Sequence, residues 1–208
     1  MNHRSNCSQP GADRCTKAAF SLVEMLITLA LVIVMVTMMY GFGSRSNQQE
    51  QKKQCQKNLQ KAYIALEIFA TDHSGVFPVK AKATTSEEPL SLLIPQYTTD
   101  TASFICPGSR DRKLPLAESF ADRRISYSYF MGRRPDEGRE LLMTDRQIDT
   151  RPKAVKQPIF SQTGKPPGNN HHRYGGNYLF CDGSMEQSSA LAVVPVALAS
   201  NVVLLNPR

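Results

Sequence analysis

The sequence predicts an α+β fold, with one long N-terminal helix followed by a small antiparallel β-sheet. Three features of the 208-residue chain predict it. An apolar run fills residues 18–43, "AAFSLVEMLITLALVIVMVTMMYGFG", with no proline to stop a helix. A polar stretch follows directly, with apolar residues at the three-four spacing of one helix face. Beyond residue 76 the pattern changes to short alternating segments separated by Pro, Gly and Asn, the mark of strands and turns.

Residues 25–43 are nineteen in succession without a charge. At about 1.5 Å per residue they cover roughly 28 Å, close to the hydrocarbon core of a bilayer. A secretory signal has an apolar region of about 7–15 residues, so this run is long for that role. The alternative is a signal cut near Gly43, where Gly41-Phe42-Gly43 offers small residues. Glu24 is the lone carboxylate. Inside a membrane helix it costs on the order of 3 kcal/mol at the midplane, so its partner must be sought. A cut between Ala19 and Phe20 would free an α-amino group with a pKa of about 8, mostly charged at neutral pH. In a helical assembly the Glu24 of one subunit then meets the Phe20 amine of its neighbour. The simpler alternative is that Glu24 snorkels toward the headgroups.

The same helix is expected to continue through residues 44–75. Leu59, Ala62, Tyr63, Leu66, Phe69 and Ala70 form its apolar face, which Ile64 and Ile68 would widen. Gly41 and Gly43 are the expected bend, Gly75 the stop, and Pro78 follows. Residues 76–208 then form the α+β head. Residues 80–89 read as a loop and "LSLLIPQYT" as a short helical turn ended by Pro95. "SFICPGSRDRK" reads as a short strand closed by Pro-Gly. "RISYSYFMG" and "ELLMTD" read as strands, residues 150–170 as a long loop holding four prolines. "NYLFC" reads as a strand that turns at Asp182-Gly183 into "SMEQ". The apolar tail "ALAVVPVALASNVVLLNPR" is too short and proline-broken to span a bilayer. It is either a last strand on the sheet or a contact surface for another subunit.

The net charge is +7, but the basic residues are scattered and form no long run. That pattern favours a mildly basic solvated surface over a nucleic-acid partner. Of five cysteines, Cys7 and Cys15 precede the apolar run. Among the other three, Cys106 with Cys181 is the expected disulfide, because Cys55 falls in a helix expected to be far from both. Three unpaired thiols is the alternative. His172 and Asp182 are candidate metal ligands, with His171, Asp145 and Asp149 able to join them. The favoured reading gives them no metal: Asp182 accepts backbone N–H bonds in its own turn, and His172 bonds locally. No nucleophile motif, phosphate loop or zinc-protease motif appears, so no enzyme is expected.

"AFSLVE" followed by the apolar run resembles the prepilin cleavage and methylation motif of type IV pilins and type II secretion pseudopilins. The match is Phe20-Ser21-Leu22-Val23-Glu24, with Ala19 standing where the family has glycine. His172 and Asp182-Gly183, with nine residues between the His and the Asp, resemble the His-x9-Asp-Gly signature of a pilin-like subgroup. The resemblance implies a pilin-like fold and a leader of residues 1–19 removed by a prepilin peptidase, with Phe20 then N-methylated. It also implies a single-pass inner-membrane helix of residues 20–43 carrying an extracytoplasmic head, and polymerisation with other pilin-like subunits. Major pseudopilins bind calcium in a C-terminal loop; the loop here does not follow that pattern. Basic residues are fewer before the apolar run (Arg4, Arg14, Lys17) than after it (Arg45, Lys52, Lys53, Lys57, Lys61). By that count alone the N-terminus would face outward, against the orientation the resemblance implies.

Overall fold

The computed structural model describes residues 21–148, 155–193 and 198–208; the side chains of residues 40–45 are not among those described. Ala19, Phe20 and Asp149 lie outside the described residues. The chain divides into two compact units, Met1–Gly43 and Ser44–Arg208. Helix α1, Leu22–Asp72, contributes to both.

In the first unit, Leu22–Met39 has a mean hydropathy of 2.5 and no buried residue. This segment is long and apolar enough to cross a membrane. It holds three polar side chains. Thr28 and Thr37 donate to the carbonyls of Met25 and Val34, at 3.0 and 2.9 Å, so both hydroxyls are satisfied within the helix. Glu24 is in the first turn, exposed, and has no hydrogen bond or ion pair among the described residues.

The second unit is built around the C-terminal half of α1. Its buried face runs Lys52, Cys55, Leu59, Ala62, Leu66, Phe69 and Ala70, the three-four spacing the sequence shows, extended one turn toward the N-terminus. Ile64 and Ile68 do not widen this face; they are 56% and 47% exposed. They sit on the flank opposite the sheet-facing side chains, where no element covers them among the described residues. The Gly75 N–H donates to the Ala70 carbonyl at 2.8 Å, and Gly75 adopts φ +70, which ends the helix as a left-handed residue does.

Five antiparallel strands follow: β1 Tyr127–Met131, β2 Leu141–Asp145, β3 Asn177–Phe180, β4 Met185–Gln187 and β5 Val203–Leu205. Their order is β4-β3-β2-β1-β5. β1 pairs with β2 through Tyr127 and Asp145, and with β5 through Tyr129 and Leu205. The alternation of β1 sends Tyr127, Tyr129 and Met131 into the core with the α1 face, while Phe130 packs on Val202 and Leu204. Within the apolar tail, Val203–Leu205 is therefore a strand on the sheet edge. Three expected strands appear as β1, β2 and β3, and the Asp182-Gly183 turn leads into β4.

Two expected elements also differ. "SFIC" is not a strand: Thr101–Phe104 is a 3-10 turn whose Thr101, Ser103 and Phe104 are buried. Its Ser103 hydroxyl closes the turn on the Asp100 carbonyl at 2.6 Å, and the segment is not among the five strands of the sheet. The loop expected at 80–89 ends in a helical turn, α2 Glu87–Leu90, because Glu87 is drawn into the interior. There its carboxylate accepts the Ile125 and Arg208 N–H groups at 3.2 and 3.0 Å.

Candidate functional site

Four chain segments bring chemically able side chains together beneath the sheet. α1 supplies Cys55, the Pro107-Gly108 turn supplies Cys106, the end of β2 supplies Asp145, and the loop before β3 supplies Asn170 and His171. The turn comes this close because Gly108 has no side chain: a Cβ there would lie 2.4 Å from the Asn170 carbonyl.

Cys55 and Cys106 form a disulfide, with 5.2 Å between their Cα atoms. The expected Cys106–Cys181 pairing is therefore wrong. Cys181 is a buried free thiol. The reason lies along α1. Cys106 faces Cys55, whereas the Cys181 carbonyl accepts a bond from the Tyr63 hydroxyl at 3.1 Å. Eight helical residues, about 12 Å, separate those two positions. Burial, reinforced by the Glu137 carboxylate, pushes the Cys181 thiol up to about 12, so it offers no thiolate at neutral pH.

Asp145 is fully buried. Its Oδ1 accepts from Asn170 Nδ2 at 2.9 Å, and its Oδ2 from the backbone and side-chain N–H groups of Asn177 at 2.8 and 2.9 Å. His171 Nε2 lies 3.2 Å from that same oxygen and 3.5 Å from Cys106 Sγ. Burial alone would raise the carboxyl's pKa. The His171 interaction and the Asn170 and Asn177 donors outweigh it and hold the group below the ordinary carboxylate range. His171 Nδ1 is buried without a partner.

Donor atoms of Cys55, Cys106, Asp145 and His171 lie within 4.8 Å of one another. This is the donor set of a thiophilic ion, but the two sulfurs are joined. What remains is one imidazole nitrogen and one carboxylate already accepting several bonds, less than a tetrahedral ion requires. The sequence candidates thus separate. Asp145 and His171 meet at the buried site. Asp182 stays in its turn, where Oδ1 accepts the Ser184 N–H at 2.9 Å and its hydroxyl at 2.5 Å. That hydroxyl and N–H, taken together, hold the Asp182 carboxyl below its ordinary pKa. His172 is exposed, at φ +54, with its ring against Gly164. No hydrogen bond or ion pair joins His172 to Asp182 among the described residues.

Sequence reasoning missed Lys52 and Asn177. Lys52 is 8% exposed and donates to the Tyr174 and Ser188 carbonyls, with burial pushing its pKa down and Asp145 opposing. Asn177 ties Asp145 to the Lys52 carbonyl at 3.0 Å. One signal was present for Lys52: it lies three residues before Cys55, in phase with the buried face of α1.

No family model, curated protein or solved structure matches this chain.

Proposed function

We propose that the protein is a structural subunit of a type IV pilus-like or type II secretion pseudopilus fibre. Before assembly Leu22–Met39 anchors it in the inner membrane, and the α+β head is extracytoplasmic. A prepilin peptidase removes residues 1–19, and methylation follows at Phe20. In the fibre, helices bundle and bury the surface that lipid formerly covered.

The observation that carries this reading is the state of Glu24. In an 18-residue apolar window with no buried residue, both threonines are satisfied within the helix and Glu24 is not. An acid there needs a counter-charge, and a neighbour's freed Phe20 amine supplies one. A structural role also agrees with the head. Its chemically able groups are joined in a disulfide (Cys55, Cys106), sealed in a hydrogen-bonded knot (Asp145, His171), or held as a protonated thiol (Cys181).

Mass spectrometry of the native chain extracted from membranes tests this. The expected N-terminus is Phe20, carrying one methyl group. A chain that begins at Ser44, or that keeps residues 1–19 where the peptidase is active, overturns the proposal.

A further inference from the structure

We infer that Cys55, Cys106, Asp145 and His171 hold a zinc ion when the chain folds in its reduced form, and that the Cys55–Cys106 disulfide is the oxidised alternative to that ion. The site belongs to the head alone, so the proposal is independent of the fibre reading. None of the four residues is more than 1% exposed. Their donor atoms converge within 4.8 Å from four separate segments of the chain. A disulfide is uncharged and needs no strongly polar neighbour, yet an imidazole and a carboxylate are buried against this one.

The spacing is that of a tetrahedron. A zinc ion with bonds of about 2.0–2.1 Å to N and O and about 2.3 Å to S sets its ligands apart by about 3.3 Å for N···O, about 3.6 Å for S···N and about 3.8 Å for S···S. His171 Nε2 lies 3.2 Å from Asp145 Oδ2 and 3.5 Å from Cys106 Sγ, so two edges are already in place. The S···S edge is closed by the bond itself, and reduction releases it.

The surrounding frame does not depend on that bond. Asn58, one turn on from Cys55, donates from Nδ2 to the Ile105 carbonyl at 2.9 Å and keeps Cys106 beside α1. Ser109 closes the turn on the Cys106 carbonyl through its N–H at 2.9 Å and its hydroxyl at 2.8 Å. Asn170 Nδ2 holds the Ser126 carbonyl at 2.7 Å, which fixes the loop carrying His171. Asn170 and Asn177 orient the Asp145 carboxylate, as outer hydrogen-bond partners orient the ligands of a metal. His171 Nδ1 has no partner among the described residues, so no bond breaks when the ring carries its proton there and turns the Nε2 lone pair to the ion.

The donor set selects the ion. Two thiolates and an imidazole in a tetrahedron suit zinc, whereas calcium needs six or more oxygens. Each thiol gives its proton to solvent as its sulfur bonds the ion, and no electron moves. Two protons leave for one divalent ion, so net charge is unchanged in a pocket that already sets Asp145 against the buried Lys52 ammonium. Oxidation takes the other course: the two thiols give two electrons and two protons to a disulfide donor, and the S–S bond forms. Because the pocket is sealed, the choice is made as the chain folds. Either outcome ties the Cys106 turn to α1.

The test synthesises the full chain cell-free into nanodiscs of uncharged lipid with an untagged scaffold and zinc present. One sample contains a phosphine reductant, the other glutathione disulfide. After gel filtration, elemental mass spectrometry should find one zinc per chain in the reduced sample and none in the oxidised one. Cys181→Ser, which alters the thiol outside the cluster, should keep the zinc, and C55S/C106S should lose it. Chelation should lower the melting temperature of the reduced sample by roughly 5–11 °C, the shift for a ligand at about 100 times its dissociation constant on a unit of this size. Cobalt in place of zinc should give the intense visible bands of a tetrahedral ion together with thiolate charge-transfer bands. No zinc in the reduced sample, equal zinc in the oxidised one, or zinc retained by C55S/C106S overturns the proposal. A weak octahedral cobalt spectrum without thiolate bands also overturns it, by showing an adventitious ion only.

Discussion

Breaking the Cys55–Cys106 crosslink should cost the head about 4 kcal/mol. The bond joins residues 51 apart in sequence, and closing a loop of that length removes roughly 14 cal/mol/K of chain entropy from the unfolded state. At 25 °C this corresponds to about 4 kcal/mol. For a unit of this size it lowers the melting temperature by roughly 8–16 °C. The assay compares the parent, the reduced parent and C55A/C106A in urea, with detergent micelles shielding Leu22–Met39. Near-UV circular dichroism reports the transition through the tyrosines, since the chain has seven Tyr and no Trp. The reduced parent and the double variant should fall together. A non-reducing digest should yield one peptide pair joining Cys55 to Cys106. A stability loss under about 1 kcal/mol, or a peptide joining Cys106 to Cys181, refutes the entropy reasoning or the pairing respectively.

Asp145→Asn should destabilise the head by about 3–5 kcal/mol at neutral pH, since it leaves buried donors facing an amide. The sign with pH follows from the lowered folded pKa. Asp145 contributes stability that is fully present above its unfolded value and lost as pH falls through the folded one. The urea midpoint of the parent should therefore drop more steeply below about pH 4 than that of the variant; parallel curves would count against it. Gly183→Ala should cost about 1–3 kcal/mol, because Gly183 has φ +78 and a Cβ would sit 2.6 Å from the Tyr63 ring. An unchanged urea midpoint would show that the turn yields without cost. Glu24→Ala should leave membrane insertion intact and lower incorporation into fibres, measured by shear-release of assembled subunits. A normal fibre yield would remove the pairing with the Phe20 amine.

Local patterns in the chain determined the elements. The unbroken apolar run forces a helix wherever water is absent, because only internal hydrogen bonds satisfy its backbone. The period from Leu59 to Ala70 selected the buried face of α1, and the alternation of "SYSYF" selected β1, since side-chain direction follows from backbone period alone. Asp182-Gly183 announced its hairpin by local turn chemistry. Whatever depends on which segments meet was decided only by the tertiary structure. Cys55 and Cys106 are both visible in the sequence, but their pairing required the Pro107-Gly108 turn to land on α1. Ile64 and Ile68 fit the apolar rhythm, but the sheet covers a narrower stripe than the rhythm allows. Asp145, His171, Asn170 and Asn177 gather from separate loops and strands. Spacing along a chain encodes direction within one element, whereas distance between elements is set by packing, and the chemistry here is made of distances.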